Sequence, residues 1–182
     1  MQKQEIKIEL KINDVNVKVG HKFLELICKD IPDTKENKKV FSILALSDND
    51  EVREDVSRNE FLSKDTIDIL LKDENNQVVD NLLLNRDINK HITNTQLFEI
   101  IKNDKVRLLC TIAERIDQFD SCDKCMIIKK LANHKNSKVR HSLFCYGVSD
   151  LLNIKILQKL ASDKDYDVAY KARKELKEQR RK

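Results

Sequence analysis

An internal repeat constrains the fold of this chain more than any other feature of the sequence. Five valines recur at spacings of 26, 28, 33 and 29 residues, and three other positions repeat in step with them. The anchoring valines are Val52, Val78, Val106, Val139 and Val168. Recurrence at such a period is typical of proteins that stack one supersecondary unit several times. The sequence therefore predicts five similar modules.

Each repeated position has a structural interpretation. The residue eight positions before the anchor is apolar, and further apolar residues three or four positions earlier complete a helical stripe. These residues are Leu44, Leu70, Phe98, Leu131 and Leu160. The residue three positions before the anchor is Asn or Asp, which ends one helix and caps the next. This column contains Asn49, Asn75, Asn103, Asn136 and Asp165. The residue four positions after the anchor lies one turn further along the second helix. This column contains Val56, Leu82, Cys110, Leu143 and Ala172.

Each module is thus predicted to be a helix A, a short turn and a helix B. Neither helix can bury its apolar stripe alone, whereas stacked neighbours bury it continuously. We therefore predict an all-α fold, a right-handed α-solenoid of about five two-helix repeats over residues 34–176, with a charged tail at 177–182. The chain has only two glycines and one proline, which argues against a β-sandwich or barrel with many tight turns. The residues expected in the core are Leu70, Phe98, Leu131, Leu160, Val78, Val106 and Val139.

The first module resembles a known family of repeats. The stretch from Leu44 to Asp65 is similar to the leucine-rich repeat variant and HEAT-like family of bacterial α-helical repeat proteins. The matching residues are Leu44, Ala45, Asp48, Asp50, Val52, Arg53, Val56 and Asn59, and in the second module Leu70, Asp73, Val78, Leu82 and Asn85. Later modules depart from this pattern, with Ala113, Tyr146 and Glu175 at the position of Asn59. The resemblance implies an architecture rather than an activity, and the long spacings favour HEAT-like pairs of α-helices.

Residues 1–33 follow a different pattern. Apolar and polar residues alternate over residues 5–19 around Asn13 and Asp14, which predicts a β-hairpin. A capping helix is expected at residues 21–29. Asn16, Val19 and Phe23 also fit the repeat as a degenerate helix B. A two-stranded hairpin is marginal by itself, so it either caps the first helices or pairs with another chain.

The two halves of the chain differ in charge. Residues 1–91 carry 15 Lys and Arg against 19 Asp and Glu, whereas residues 92–182 carry 20 against 12. A basic half can bind an anionic partner. The candidate residues are Arg107, Lys138, Arg140, Lys171 and Lys174, with Arg107 and Arg140 at the centre.

The arginines have a second interpretation. Arg53, Arg107 and Arg140 each follow an anchoring valine. They either hold an anionic ligand or pair with carboxylates of neighbouring modules, as a ladder. A partly buried Arg demands a carboxylate, and Asp50 and Asp104 are the suggested partners.

The cysteines offer the only local motif with chemistry, Cys122-Asp-Lys-Cys125. Two thiolates can hold one side of a Zn²⁺ ion or act in redox chemistry, but a structural zinc site needs four ligands. Five cysteines and no visible signal peptide favour free thiols in the cytoplasm. We therefore treat Cys122 and Cys125 as weak metal candidates and expect no cofactor.

Three functions follow from these observations. The first is a non-enzymatic scaffold or adaptor that binds a protein partner, acidic where it meets the basic half. The second is nucleic-acid binding by the basic half, although aromatic residues are only 5% of the chain and few rings could stack on bases. The third is a metal or redox role for Cys122 and Cys125. No apolar run reaches the length of a membrane span, so no membrane association is expected.

Overall fold

The computed structural model describes residues 3–12, 14–19, 22–120, 123–145 and 148–181, without the side chains of Arg86 and Ile88. Helix accounts for 62% of the structure, beside one small two-stranded sheet. The predicted all-α class is therefore confirmed. The chain divides into two compact units, Met1–Ile88 and Asn89–Lys182.

The first unit begins with a β-hairpin and continues with helices. Its elements are β1 (Leu10–Ile12), β2 (Val15–Val17), α1 (Lys22–Asp30), α2 (Lys38–Leu44), α3 (Asp50–Ser57), α4 (Lys64–Leu70) and α5 (Asn76–Leu84), with a 3₁₀ turn at Lys35–Asn37. A short helix α6 (Arg86–Asn89) follows at the boundary between the units. Helix α3 packs between α1 and α5, and α2 packs against α4. Helices two apart along the chain therefore lie side by side.

The second unit repeats this organisation. Its helices are α7 (Asn94–Lys102), α8 (Val106–Arg115), α9 (Lys124–Leu131), α10 (Ser137–Ser142), α11 (Ile154–Leu160) and α12 (Tyr166–Gln179), with 3₁₀ turns at Ile116–Gln118 and Ser149–Leu151. Helix α10 packs between α8 and α12. Helix α12 continues past residue 177, so the segment expected to be a charged tail begins inside this helix.

The hairpin forms as the alternating pattern predicts. Leu10 pairs with Val17 and Ile12 with Val15, and Asp14 takes a left-handed backbone conformation (φ 64°) in the turn. The segment before β1 is hydrogen-bonded to another part of the first unit. The Gln4 amide donates to Leu46 O at 2.9 Å, and Gln4 O accepts from the Asp48 amide at 3.0 Å. This short bridge holds the N-terminal segment against the turn between α2 and α3.

The Asn/Asp column caps helix B in four of the five modules. The side chains of Asn49, Asn75 and Asn136 accept a hydrogen bond from the backbone amide two residues later, and Asp165 accepts from the amides two and three residues later, those of Asp167 and Val168. These caps satisfy amides that the first helical turn leaves without a partner. Asn103 differs, because it lies at the C-terminal end of α7 and caps nothing by its side chain.

The prediction of the core is confirmed for most residues and wrong in the third module. Leu70, Leu131, Leu160, Val78 and Val139 are buried. Val106, however, is the first residue of α8 and only half-buried, and Phe98 is half-buried as well.

The third module is in step with the others when Leu108 replaces Val106 as the anchor. Leu108 is buried, and Ile100 and Leu97, at eight and eleven positions before it, are the buried residues of α7 that match Leu44 and Phe41. The two spacings around it then become 30 and 31 residues instead of 28 and 33. The turn before α8 has three residues (103–105) where the other modules have five, and Asp104 adopts φ 56° in it. Asp tolerates that left-handed conformation better than most residues.

The corrected alignment also changes two other residues. Cys110 falls two positions after the anchor and is half-buried, whereas Ile112 takes the buried position four residues after it.

In the first unit, Asn16 lies in β2 and α1 begins at Lys22. Phe23, rather than Val19, is therefore the residue of α1 that corresponds to an anchor.

Candidate functional site

Arg53 joins its own module to the next one. It is completely buried (0% exposed), and it donates from Nε and Nη2 to the two carboxylate oxygens of Asp73 at 2.7 and 3.2 Å. Nη1 donates to Ser47 O at 2.7 Å, and Nη2 also contacts Asp50. Burial by itself would lower the pKa of Arg53, but the hydrogen bonds and charges of Asp73 and Asp50 outweigh burial and raise it. The guanidinium is therefore charged and fully paired.

Arg140 makes the same contacts in the second unit. Its Nε and Nη2 donate to the two carboxylate oxygens of Asp163 at 2.6 and 2.7 Å. Its Nη1 donates to His134 O at 2.6 Å and to Lys135 O at 3.1 Å. Arg140 holds the pKa of the Asp163 carboxyl below its usual range. We call the contacts of Arg53 with Asp73 and of Arg140 with Asp163 the arginine bridges.

The two arginine bridges occupy identical places in the repeat. Each Arg follows its anchor by one residue and donates to the carbonyl five residues before that anchor. Each Arg also donates to the Asp that stands five residues before the next anchor. Each Asp also accepts from the amide of the capping residue two positions later, Asn75 at 2.8 Å and Asp165 at 2.9 Å. The bridge therefore ties the inter-helix turn of one module to that of the next.

The ladder was predicted from the sequence, but its carboxylates were not identified correctly. Asp50 contacts Arg53 from within the same module, while the pairing across modules is made by Asp73 and Asp163. Two positions of the repeat vary together, and this correlation identifies Asp73 and Asp163 as the partners. Arg follows the anchor where the next module has Asp five residues before its own anchor, and apolar Val79 and Leu109 follow it where the next module does not.

The residues predicted to bind an anion are not all exposed. Arg140 is 5% exposed and committed to Asp163, so its predicted place at the centre of an open basic surface is wrong. Arg107 precedes the corrected anchor Leu108 by one residue, is exposed, and does not belong to the ladder column. Lys138 and Lys174 are exposed and Lys171 is half-buried. Anion binding by the four remaining residues stays a prediction.

Asp104 makes a different junction from the one that the sequence suggested. It accepts from His134 Nε2 at 2.7 Å and from Lys135 Nζ. His134 Nδ1 in turn accepts from the Asn136 amide at 3.1 Å, which places the ring proton on Nε2. Lys135 and His134 lower the pKa of the Asp104 carboxyl. His134 thus replaces Asp at the position five residues before the anchor.

The cysteines of the described residues are free thiols. Cys125 is exposed, whereas Cys28 is buried and Cys110 and Cys145 are half-buried. Burial, with Asp55 and Glu25 nearby, raises the pKa of Cys28 to about 11, and burial also raises the pKa of Cys110 and Cys145. Cys122 lies outside the described residues, so its expected free thiol and its weak candidacy with Cys125 as a metal ligand stay predictions. Among the described residues, no three His, Cys, Asp or Glu side chains are grouped to hold a metal.

An aromatic pair on α12 was not predicted from the sequence. Tyr166 and Tyr170 are 75% and 58% exposed, and their rings stack with centroids 6.2 Å apart and planes 19° apart. Their spacing of four residues, followed by Lys174 after another four, was the available signal. Two of the three tyrosines of the chain therefore lie on one exposed helix face beside a lysine.

Within the part of the chain that the structure describes, no helix is both long and apolar enough to cross a membrane. Comparison of the chain with protein-family models, with curated proteins and with solved structures gives no match.

Proposed function

We propose that this chain is a non-enzymatic scaffold or adaptor that binds a protein partner in the cytoplasm. In this proposal the helix pairs form a short right-handed α-solenoid of the HEAT-like kind, and the exposed helix faces provide the binding surface. Repeat proteins of this type use the extended surface that their stacked helices create. An acidic partner suits the basic half of the chain.

The arginine bridges are the observation that carries the proposal. They recur at the same two positions of the repeat in both compact units, with the same carbonyl contact and the same Asn or Asp cap. A bidentate guanidinium–carboxylate pair fixes both distance and orientation. Such junctions favour one defined stacking of neighbouring modules, and a fixed array of helices is what a binding surface requires.

The packing of alternate helices gives further support. Helix α3 lies between α1 and α5, and α10 lies between α8 and α12. The B helices within each unit therefore form a row. Rows of parallel helices are the element from which a solenoid is built.

Affinity capture from a lysate of the source cell tests the proposal. The full chain is immobilised, the lysate is divided, and one portion is treated with nuclease before capture. We expect one or a few proteins to be enriched over a bead-bound protein of similar net charge, with the same yield after nuclease treatment. Loss of every enriched protein on nuclease treatment would contradict a protein scaffold.

A second candidate is nucleic-acid binding, which α12 favours. Stacked tyrosines next to basic side chains are the combination that binds single strands without sequence preference. The absorbance ratio at 260 and 280 nm of the protein purified without nuclease distinguishes the two. A ratio typical of protein alone, together with capture that resists nuclease, favours the scaffold.

A further inference from the structure

Two positions of helix B face the following module. At two junctions of the first unit, a Glu two residues after the anchor accepts from the capping Asn of the next module. Glu25 accepts from Asn49 at 2.8 Å, and Glu54 accepts from Asn75 at 2.8 Å. Five residues after the anchor, Ser57 accepts from Asn81 in the next helix B at 3.0 Å. A side chain at either position is therefore directed toward a neighbouring helix.

In α12 the same two positions are Tyr170 and Arg173. Arg173 Nε donates to Ala161 O at 3.0 Å, so this side chain is held at the edge of α11. Tyr170 stays mostly exposed, stacked on the still more exposed Tyr166. In the other B helices of the repeat this position is buried or half-buried, at Glu54, Asp80, Cys110 and His141. The two exposed rings of α12 instead leave apolar area in water.

The face continues with positive charge. Lys174 and Lys177 follow the tyrosines at helical spacing, and both are exposed. Lys174 Nζ lies 3.9 Å from the Glu178 carboxylate. We call Tyr166, Tyr170, Lys174 and Lys177 the tyrosine–lysine stripe. It is about 17 Å long at 1.5 Å per residue, which matches three turns of a second helix.

We propose that the tyrosine–lysine stripe is the docking site for an acidic amphipathic α-helix of a partner protein. The register supports this site, because Glu54, which stands in α3 where Tyr170 stands in α12, contacts the capping Asn75 of α5. The two lysines select a partner helix that carries carboxylates. The two tyrosines select apolar side chains between those carboxylates. This inference rests on the proposed scaffold function and names one of its binding surfaces.

Selection of peptides tests the docking site with a defined probe. The full chain is presented with a displayed library of random peptides of about 16 residues, or roughly four helical turns. We expect the enriched peptides to share Asp or Glu at spacings of three and four residues around apolar side chains. Their affinity should fall about tenfold or more in the double variant Tyr166→Ala/Tyr170→Ala, and again in Lys174→Glu/Lys177→Glu, because aromatic and paired charged anchors dominate helix docking.

Matched controls separate the stripe from general changes in charge and apolar surface. Lys39→Glu/Lys64→Glu makes the same change of charge on exposed lysines of the first unit, and Ile43→Ala/Ile154→Ala removes two exposed apolar side chains elsewhere. Both controls should bind the peptides as the parent does. All four variants should keep the melting temperature of the parent, since every substituted side chain is exposed.

Any of four results would overturn the docking site. The first is enrichment of no peptide, or of peptides without the acidic helical pattern. The second is equal peptide affinity in the parent and the stripe variants. The third is tighter binding of a thymidine oligonucleotide of about 20 nucleotides than of any selected peptide, lost in the same variants, which would make the stripe a single-strand platform. A lysate protein captured equally by parent and stripe variants would remove the docking site and leave the scaffold function standing.

Discussion

Arg140 of α10 and Asp163, in the turn between α11 and α12, are joined by two hydrogen bonds of 2.6 and 2.7 Å. Both side chains are almost completely buried. A buried pair of this kind contributes little compared with a well-packed apolar pair, but it is costly to break, because the remaining charge has no partner. Its effect is therefore on how the modules are oriented as much as on total stability.

The bridge between Arg140 and Asp163 makes the free energy of unfolding depend on pH. Arg140 lowers the pKa of Asp163 in the folded protein, while an unfolded Asp titrates near 3.9. The stabilisation is thus fully present above about pH 4 and is lost as pH falls through the lower folded pKa. We expect Asp163→Asn to lower the free energy of unfolding at pH 7 by about 1.5–3 kcal/mol, the range for hydrogen bonds to a charged group.

Urea denaturation of the parent and of Asp163→Asn between pH 7 and pH 3 measures this effect. The difference between the two proteins should be constant down to about pH 5 and shrink below about pH 4. Asp167→Asn, which changes an exposed carboxylate four residues later in α12, is the control and should stay within about 0.5 kcal/mol of the parent. A difference that does not change with pH would show that the charge of Asp163 is not what stabilises the junction.

The corrected register of the third module predicts unequal effects of neighbouring substitutions. Leu108→Ala and Leu97→Ala remove buried side chains and should each lower the free energy of unfolding by about 2–5 kcal/mol. Val106→Ala and Phe98→Ala remove half-buried ones and should cost clearly less than their respective neighbours. Denaturant titration followed by circular dichroism gives the four values. Equal or larger losses at Val106 and Phe98 would restore the valine register.

That module shows how far sequence patterns reach. The columns predicted four caps and the buried leucines correctly because capping and helical periodicity are local properties. The third module misled the alignment because Val106 has the right residue type and the turn before α8 is two residues shorter than in the other modules, with Asp104 in a left-handed conformation. The bridges needed a correlation between residues about 20 positions apart, and the exposure of Tyr166 and Tyr170 depends on which helix lies beside α12. Neither the bridges nor the exposure of the tyrosines can be predicted from one short stretch of sequence.

The thiols should react in an order set by burial. Thiolate is the reactive form, so the raised pKa of about 11 keeps Cys28 almost fully protonated at pH 8. We expect iodoacetamide to modify exposed Cys125 before Cys110 and Cys145, and Cys28 last. Peptide mass mapping after timed quenching gives the order. Rapid modification of Cys28 in the folded protein would be inconsistent with its place in the core.

The most direct test of the account is a double-mutant cycle on both arginine bridges. Arg53→Leu with Asp73→Asn, and Arg140→Leu with Asp163→Asn, are measured singly and together by denaturant unfolding. If each bridge joins neighbouring modules in the same way, both cycles should give a coupling of about 1–3 kcal/mol, whereas Arg53→Leu with Asp163→Asn, which share no partner, should be additive within about 0.5 kcal/mol. Additivity within either bridge would contradict the claim that one repeated junction holds these modules in register.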